Sequence, residues 1–191
     1  MPVKELEMTM KEIEQMYNEG LQKTQLPPSQ HLPKITFGYR RDGYGDGEYF
    51  VIIQHGEYHF GSLERGLLGD IYSSTEENDV LYYLFCRAAY YNASYNIKMC
   101  SILFRTDKYS YKRLMCKMEL ELLSIISPQF SQRKRKEYED DIVEHPFRDE
   151  FPNTLAFLDD YPCPVLSPNI LPSSCPLKGN GGACSLVINE V

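Results

Sequence analysis

Residues 48–88 read EYFVIIQHGEYHFGSLERGLLGDIYSSTEENDVLYYLFCRA, and along them the spacing of apolar side chains changes from two to about 3.6. The run YFVII at 49–53 is apolar enough for a central strand, and Gly56 marks a tight turn before a second strand over 57–63. After residue 74 the pattern predicts a helix with Leu81 and Leu84 on its apolar face. Strands followed by a helix indicate an α+β domain.

Further elements are predicted on both sides of this stretch. An amphipathic helix is expected over residues 3–24 and a strand over 35–39, and the Gly- and Asp-rich run 41–47 is interpreted as a hairpin turn. A short strand is expected over 67–72. Two more helices should follow, one capped by Asp107 and one beginning at Ser127 and Pro128, a pair typical of helix starts.

The predicted fold is therefore α+β: an N-terminal helix, a three- to four-stranded antiparallel meander, then three helices packed on the sheet. Tight turns between consecutive strands favour the antiparallel arrangement. Residues 1–150 are predicted to form this single domain. Residues 151–191 hold six of the 12 prolines and are interpreted as a Pro-rich irregular tail, with Leu155 to Leu158 docking as one apolar patch.

The formal net charge of -7 argues against a direct nucleic-acid partner, because that affinity comes largely from Lys and Arg. The charge fits a basic protein partner, and it also fits a role in solubility alone. Residues 1–7 are polar, and no apolar run approaches the roughly 20 residues of a membrane span. A cytoplasmic protein with no membrane contact is expected.

No pattern of catalytic, cofactor-binding or metal-binding residues stands out. The run Gly43–Gly47 joins two predicted strands, whereas a phosphate-binding loop must open a helix. His55 and His59 lack a nearby third ligand, and no Ser or Cys shows a nucleophile motif. We therefore expect no enzyme and no cofactor, with an enzyme built on carboxylates and histidines as the remaining hypothesis of that class.

Six short segments resemble the immunity protein 63 family of bacterial polymorphic toxin systems over residues 58–147. In order they are ERG at 64–66, DVLYYLF at 79–85, AS at 93–94, YKRLM at 111–115, ELELL at 119–123 and HPF at 145–147. The resemblance implies a small cytoplasmic protein, encoded beside a secreted toxin, that binds the toxin domain and neutralises it by stoichiometric blocking. The alternative is a cytoplasmic regulatory or adaptor domain without a toxin partner.

Two groups of residues are predicted to contact the partner. One is the predicted hairpin, where Asp42, Asp46 and Glu48 lie beside Tyr44 and form the least committed of three acidic clusters. The alternative there is a merely solvated turn.

The other group lies on the helix that begins after residue 74. Tyr83 and Tyr90 fall outside its core-facing stripe, which leaves them available as aromatic anchors. The alternative is that they pack against a neighbouring helix or against the sheet.

Overall fold

The computed structural model describes residues 8–24, 32–40, 43–104, 110–149 and 151–156. The predicted α+β architecture is confirmed. In chain order the elements are α1 (Met10–Lys23), β1 (Ile35–Phe37), β2 (Tyr49–Gln54), β3 (Glu57–Glu64), β4 (Leu67–Ser74), α2 (Glu77–Phe104), α3 (Tyr111–Ile126) and α4 (Pro128–Glu144).

The four strands form one mixed sheet in the order β1-β2-β3-β4. β2, β3 and β4 form the predicted antiparallel meander, but β1 pairs with β2 in parallel, with Ile35 opposite Tyr49. The prediction of a hairpin at 41–47 is therefore wrong. Two parallel neighbouring strands need a connection that takes the chain back to the end of the sheet where the first strand began. The glycine-rich stretch after Phe37 is part of that connection.

The two hairpins of the meander are tight. His55 and Gly56 join β2 to β3 with φ values of 53° and 78°, and Arg65 and Gly66 join β3 to β4 with 52° and 77°. Positive φ at both central residues matches the twist of the flanking strands, which explains why glycine occupies the second position of each turn. The tight turn predicted at Gly56 is confirmed.

The main core lies between one face of the sheet and the helices. Val51 and Phe60 on that face pack with Leu84 of α2, Leu122 of α3 and Ile13 of α1, and all five side chains are buried. Because side chains alternate along a strand, Phe50 points to the opposite face. α2 lies at the centre of the helical layer, since it packs on β3, β4, α1 and α3.

β3 and β4 approach closely at a register shift between Phe60 and Gly61. A Cβ atom on Gly61 would lie 2.6 Å from the carbonyl oxygen of Gly69 and 2.3 Å from the ring of Phe50. Only glycine fits there. The sheet ends at β4, where the side chains of Leu67 and Leu68 are exposed on its first two residues.

Polar side chains cap the N-termini of three helices. Thr9 forms a capping box with Glu12 at α1, and Ser127 followed by Pro128 starts α4, as predicted. Ser110 is the N-cap of α3, where its hydroxyl accepts a hydrogen bond from the Arg113 amide. Asp107, the predicted cap, lies outside the described residues.

A short C-terminal segment packs on α3 and α4. Arg113 is fully buried and forms two hydrogen bonds of 2.8 Å with the carboxylate of Asp149, and it also donates to the carbonyls of Pro152 and Thr154. Leu155 is buried beside them. Within the predicted apolar patch, Leu155 is thus packed and Ala156 is exposed, while Phe157 and Leu158 lie outside the described residues.

No helix within the described parts of the chain has the length and apolar character needed to cross a bilayer.

Candidate functional site

An open cleft of about 490 Å³ lies between the outer part of the sheet and the helical layer. We call it the tyrosine cleft. Its lining comes from β3, β4, α2, α3 and α4, and comprises Phe60, Ile71, Tyr83, Cys86, Arg87, Tyr90, Tyr111, Lys112, Met115, Cys116, Glu119, Lys134 and Tyr138.

Tyrosine side chains build the walls of the cleft. Tyr83 packs against Tyr72 of β4 with ring centroids 3.9 Å apart, so the sheet fixes its position. Tyr111 at the start of α3 shares a hydrogen bond of 3.0 Å with the Ser94 hydroxyl of α2. The side chains of Tyr90, Tyr111 and Ile71 are 46%, 49% and 42% exposed. Three of the large apolar side chains that the fold leaves in solvent therefore lie at this one site.

A buried carboxyl group lies in the lining. Glu119 of α3 is only 4% exposed, and burial raises its pKa to about 7. A hydrogen bond from the Tyr138 hydroxyl and the positive charges of Lys134 and Arg87 oppose this rise. Near neutral pH Glu119 is consequently present in both protonated and ionised forms.

Two cysteine side chains of the cleft are unreactive as nucleophiles at neutral pH. Burial raises the pKa of both the Cys86 and the Cys116 thiols to about 12. Because the thiolate is the reactive form of cysteine, neither group is activated as a nucleophile at neutral pH.

The cations of the cleft differ in how they are paired. Lys112 pairs with Asp141 at 2.6 Å, and Lys134 pairs with Glu137 at 3.1 Å. The Arg87 guanidinium lies 5.0 Å above the Tyr49 ring, and it forms no ion pair with any residue of the described ranges. The hydrogen-bond donors of the Arg87 guanidinium are therefore not paired with any carboxylate of the described chain. They are available to a group that enters the cleft.

The structure places the six predicted contact residues in two locations. Tyr83 and Tyr90 both line the tyrosine cleft, and Tyr90 is the more exposed of the two. Tyr44, Asp46 and Glu48 lie in the connection between β1 and β2, which we call the β1–β2 loop. Asp42 lies outside the described residues.

Most of the β1–β2 loop side chains are engaged within the protein. Tyr44 is half-buried: its ring stacks on Phe50 with centroids 4.8 Å apart, and its hydroxyl donates to the Gly38 carbonyl. Asp46 is exposed and accepts a hydrogen bond of 2.5 Å from the Arg65 amide.

Glu48 is the buried member of the loop. It accepts hydrogen bonds from Lys34 and from the Gly45 amide, and it forms an ion pair with Arg40. The hydrogen bond from Lys34 makes the largest contribution to lowering the pKa of Glu48 below its usual value. Its charge is therefore already balanced inside the fold.

The two locations lie on opposite faces of the sheet. Tyr44 covers Phe50, which points away from the helices, whereas the cleft includes Phe60 on the helical side. A partner could contact both locations at once only by wrapping around the edge of the sheet.

Sequence reasoning missed several cleft residues, among them Glu119, Arg87 and Tyr111. One signal for Glu119 was available, because it falls within the apolar face that Met115, Met118 and Leu122 define on α3. A carboxyl group in such a face is rare unless it is paired or functional. Arg87 and Tyr111 carried no comparable signal, since their positions depend on how the helices pack.

The model of the family immunity protein 63 matches residues 54–140 of the chain. No curated protein and no solved structure matches the chain. The matched stretch begins at the end of β2, runs through α2 and α3, and ends within α4. Over residues 54–140 the resemblance of this chain to the immunity protein 63 family is thereby confirmed.

Proposed function

We propose that the protein is a bacterial, cytoplasmic immunity protein that binds the domain of a cognate secreted toxin and neutralises it by stoichiometric blocking. The observation that carries the proposal is the family match over residues 54–140. Immunity proteins act in toxin systems through a protein partner, so the function lies in a binding surface and needs no catalytic residue of this chain.

The tyrosine cleft is the surface that we propose for this contact. All of its lining residues, from Phe60 to Tyr138, fall within the matched stretch, whereas the β1–β2 loop falls before it. Interfaces depend on a few tyrosine, tryptophan and arginine anchors that sit in pockets and exclude water. Tyr90 and Tyr111 at the rim and Arg87 within the cleft belong to these residue types.

The β1–β2 loop remains a second proposed contact. Its exposed carboxylate is Asp46, and Asp42 is the further acidic residue of the predicted group. A toxin that acts on nucleic acid would carry a basic cleft, and exposed carboxylates would steer its approach. The contributions of Tyr44 and Glu48 would be indirect, because both side chains hold the loop in place.

Co-expression with the toxin encoded beside this gene tests the proposed function. The wild-type chain should restore growth of cells that produce the toxin domain, and the purified proteins should form a one-to-one complex by titration calorimetry. Absence of both rescue and complex formation would favour the regulatory or adaptor alternative.

A pair of variants tests the surface. Tyr90→Ala should weaken toxin binding by at least about tenfold, as truncation of an aromatic anchor does. Ile125→Ala is the control, because Ile125 is exposed to a similar extent but belongs neither to the cleft lining nor to the β1–β2 loop. Equal affinities for both variants and the wild type would place the interface elsewhere.

A further inference from the structure

We infer that the tyrosine cleft is a receptor for a carboxylate side chain, an Asp or Glu of the toxin, which pairs with the guanidinium of Arg87. The inference rests on the proposed function and adds the chemistry of the group that the toxin inserts. It is independent of the β1–β2 loop, where acidic groups of this chain would meet a basic partner.

The charges of the cleft favour an anion. Arg87, Lys112 and Lys134 line it together with one carboxyl group, Glu119. The carboxylates that pair with the two lysines, Asp141 and Glu137, are not part of the lining. Because Asp141 and Glu137 balance the charges of the two lysines, Arg87 is the cation of the lining that has no carboxylate partner among the described residues, and its charge favours an anion in the cleft.

Glu119 does not cancel this charge. It is buried, it accepts a hydrogen bond from Tyr138, and burial keeps a part of it protonated near neutral pH. Arg87 is half-buried and therefore more accessible from the solvent than Glu119. An incoming carboxylate would meet the guanidinium before the buried acid.

The aromatic walls would strengthen the ion pair. A guanidinium binds a carboxylate through two parallel hydrogen bonds, and the pair gains strength where apolar walls exclude water. Tyr83 and Tyr90 of α2 and Tyr111 of α3 provide these walls around Arg87. The cleft volume of about 490 Å³ lies in the range of sites that enclose small ligands, roughly 300–1,000 Å³.

The first test needs no toxin. N-acetyl-glutamate α-methylamide, whose one carboxylate is the side chain, and its neutral analogue N-acetyl-glutamine methylamide are titrated into the full chain while the NMR signals of Tyr90 and Tyr111 are followed. We expect saturable shifts with the glutamate compound and none with the glutamine compound. Equal shifts with both compounds, stronger shifts with N-acetyl-lysine methylamide, or no shift at all would overturn the inference.

Arginine variants identify the group responsible. Arg87→Gln should weaken binding of the capped glutamate compound by at least about tenfold, because a charge-assisted hydrogen bond is lost. Arg148→Gln removes the same charge from an exposed position outside the cleft and should change nothing. Arg87→Lys keeps the cation near Tyr49, so it controls for folding and should give an intermediate loss. An unchanged affinity of the Gln variant would refute the role of Arg87.

Binding to the toxin separates this inference from the proposed function. If the wild-type chain binds the toxin and Arg87→Gln binds at least about tenfold more weakly, the cleft receives a carboxylate of the toxin. If both bind equally, the inference fails and the immunity function stands. If the wild-type chain does not bind, the proposed function fails, and with it the toxin as the source of the carboxylate.

Discussion

Glu119 and Arg113 are charged side chains buried in α3, and they differ in what surrounds them. Arg113 has Asp149 and backbone carbonyls as partners for its donors. Glu119 has the Tyr138 hydroxyl as a hydrogen-bond partner, and Lys134 and Arg87 contribute positive charge near it. Neither environment could be predicted from the sequence, because Asp149 and Tyr138 lie on later segments of the chain. The sequence gives the type of a residue, whereas the cost of burying its charge depends on neighbours that folding brings together.

The raised pKa of Glu119 predicts a pH-dependent loss of stability. Its folded pKa of about 7 exceeds the ordinary pKa of a glutamate, 4.5, so the folded state holds this proton more tightly than the unfolded state does. As pH rises from about 4.5 through 7, stability falls, by at most about 3 kcal/mol at 1.36 kcal/mol per pKa unit. Below pH 4.5 Glu119 is protonated in both the folded and the unfolded state, so it adds no pH dependence to the stability there.

Replacing Glu119 with Gln removes this titration. The variant should gain stability relative to the wild type at pH 8, and the gain should be much smaller at pH 5. Urea unfolding at both pH values measures the difference. A gain that is the same at both values would mean that Glu119 titrates normally in the folded protein.

At the scale of elements, the helices and the meander followed from local periodicity. Each helix and hairpin is specified by residues that are neighbours in sequence, such as Ser127 with Pro128 or His55 with Gly56. The parallel pairing of β1 with β2 was not predictable in this way. The glycines between the two strands permit a turn and equally permit the longer return that the structure contains.

The close contact between β3 and β4 provides a prediction at this scale. Gly61→Ala places a methyl group against the Gly69 carbonyl and the Phe50 ring, so the strands must separate. The free energy of unfolding should fall by about 1–3 kcal/mol, the usual cost of overpacking. The matched control is Gly69→Ala on β4, where nothing lies within 4 Å of the added atom. Similar chemical denaturation midpoints for the two variants would contradict the contact.

The C-terminal segment leads to a second prediction at this scale. Truncation after Arg148 removes both Asp149 and Leu155 and leaves the Arg113 guanidinium buried without its carboxylate. We expect a loss of about 3–5 kcal/mol, as for other buried pairs that lose one member. Truncation after Asp160 keeps the segment and should leave the melting temperature nearly unchanged. A large drop for the longer chain would show that the tail beyond residue 160 also supports the fold.

At the scale of the whole molecule, the family resemblance was recognisable from sequence but the position of the site was not. The quoted segments from ERG to ELELL lie in the part that the family model matches. Two of the predicted contact residues, Tyr83 and Tyr90, line the cleft, because a helix with apolar residues all round must leave some tyrosines outside its core face. The cleft itself is formed by five elements, and its shape depends on their packing rather than on any one motif.

The outer strand β4 affects how the purified protein can be handled. Leu67 and Leu68 are 75% and 62% exposed at the end of the sheet, and no strand of the described chain pairs with the outer edge of β4. An uncovered edge with apolar side chains is a place where a second chain can add to a sheet. Changing both leucines to lysine should raise the concentration at which stored solutions begin to scatter light, with an unchanged circular dichroism spectrum. An unchanged onset of light scattering would mean that this edge does not limit how the protein is stored.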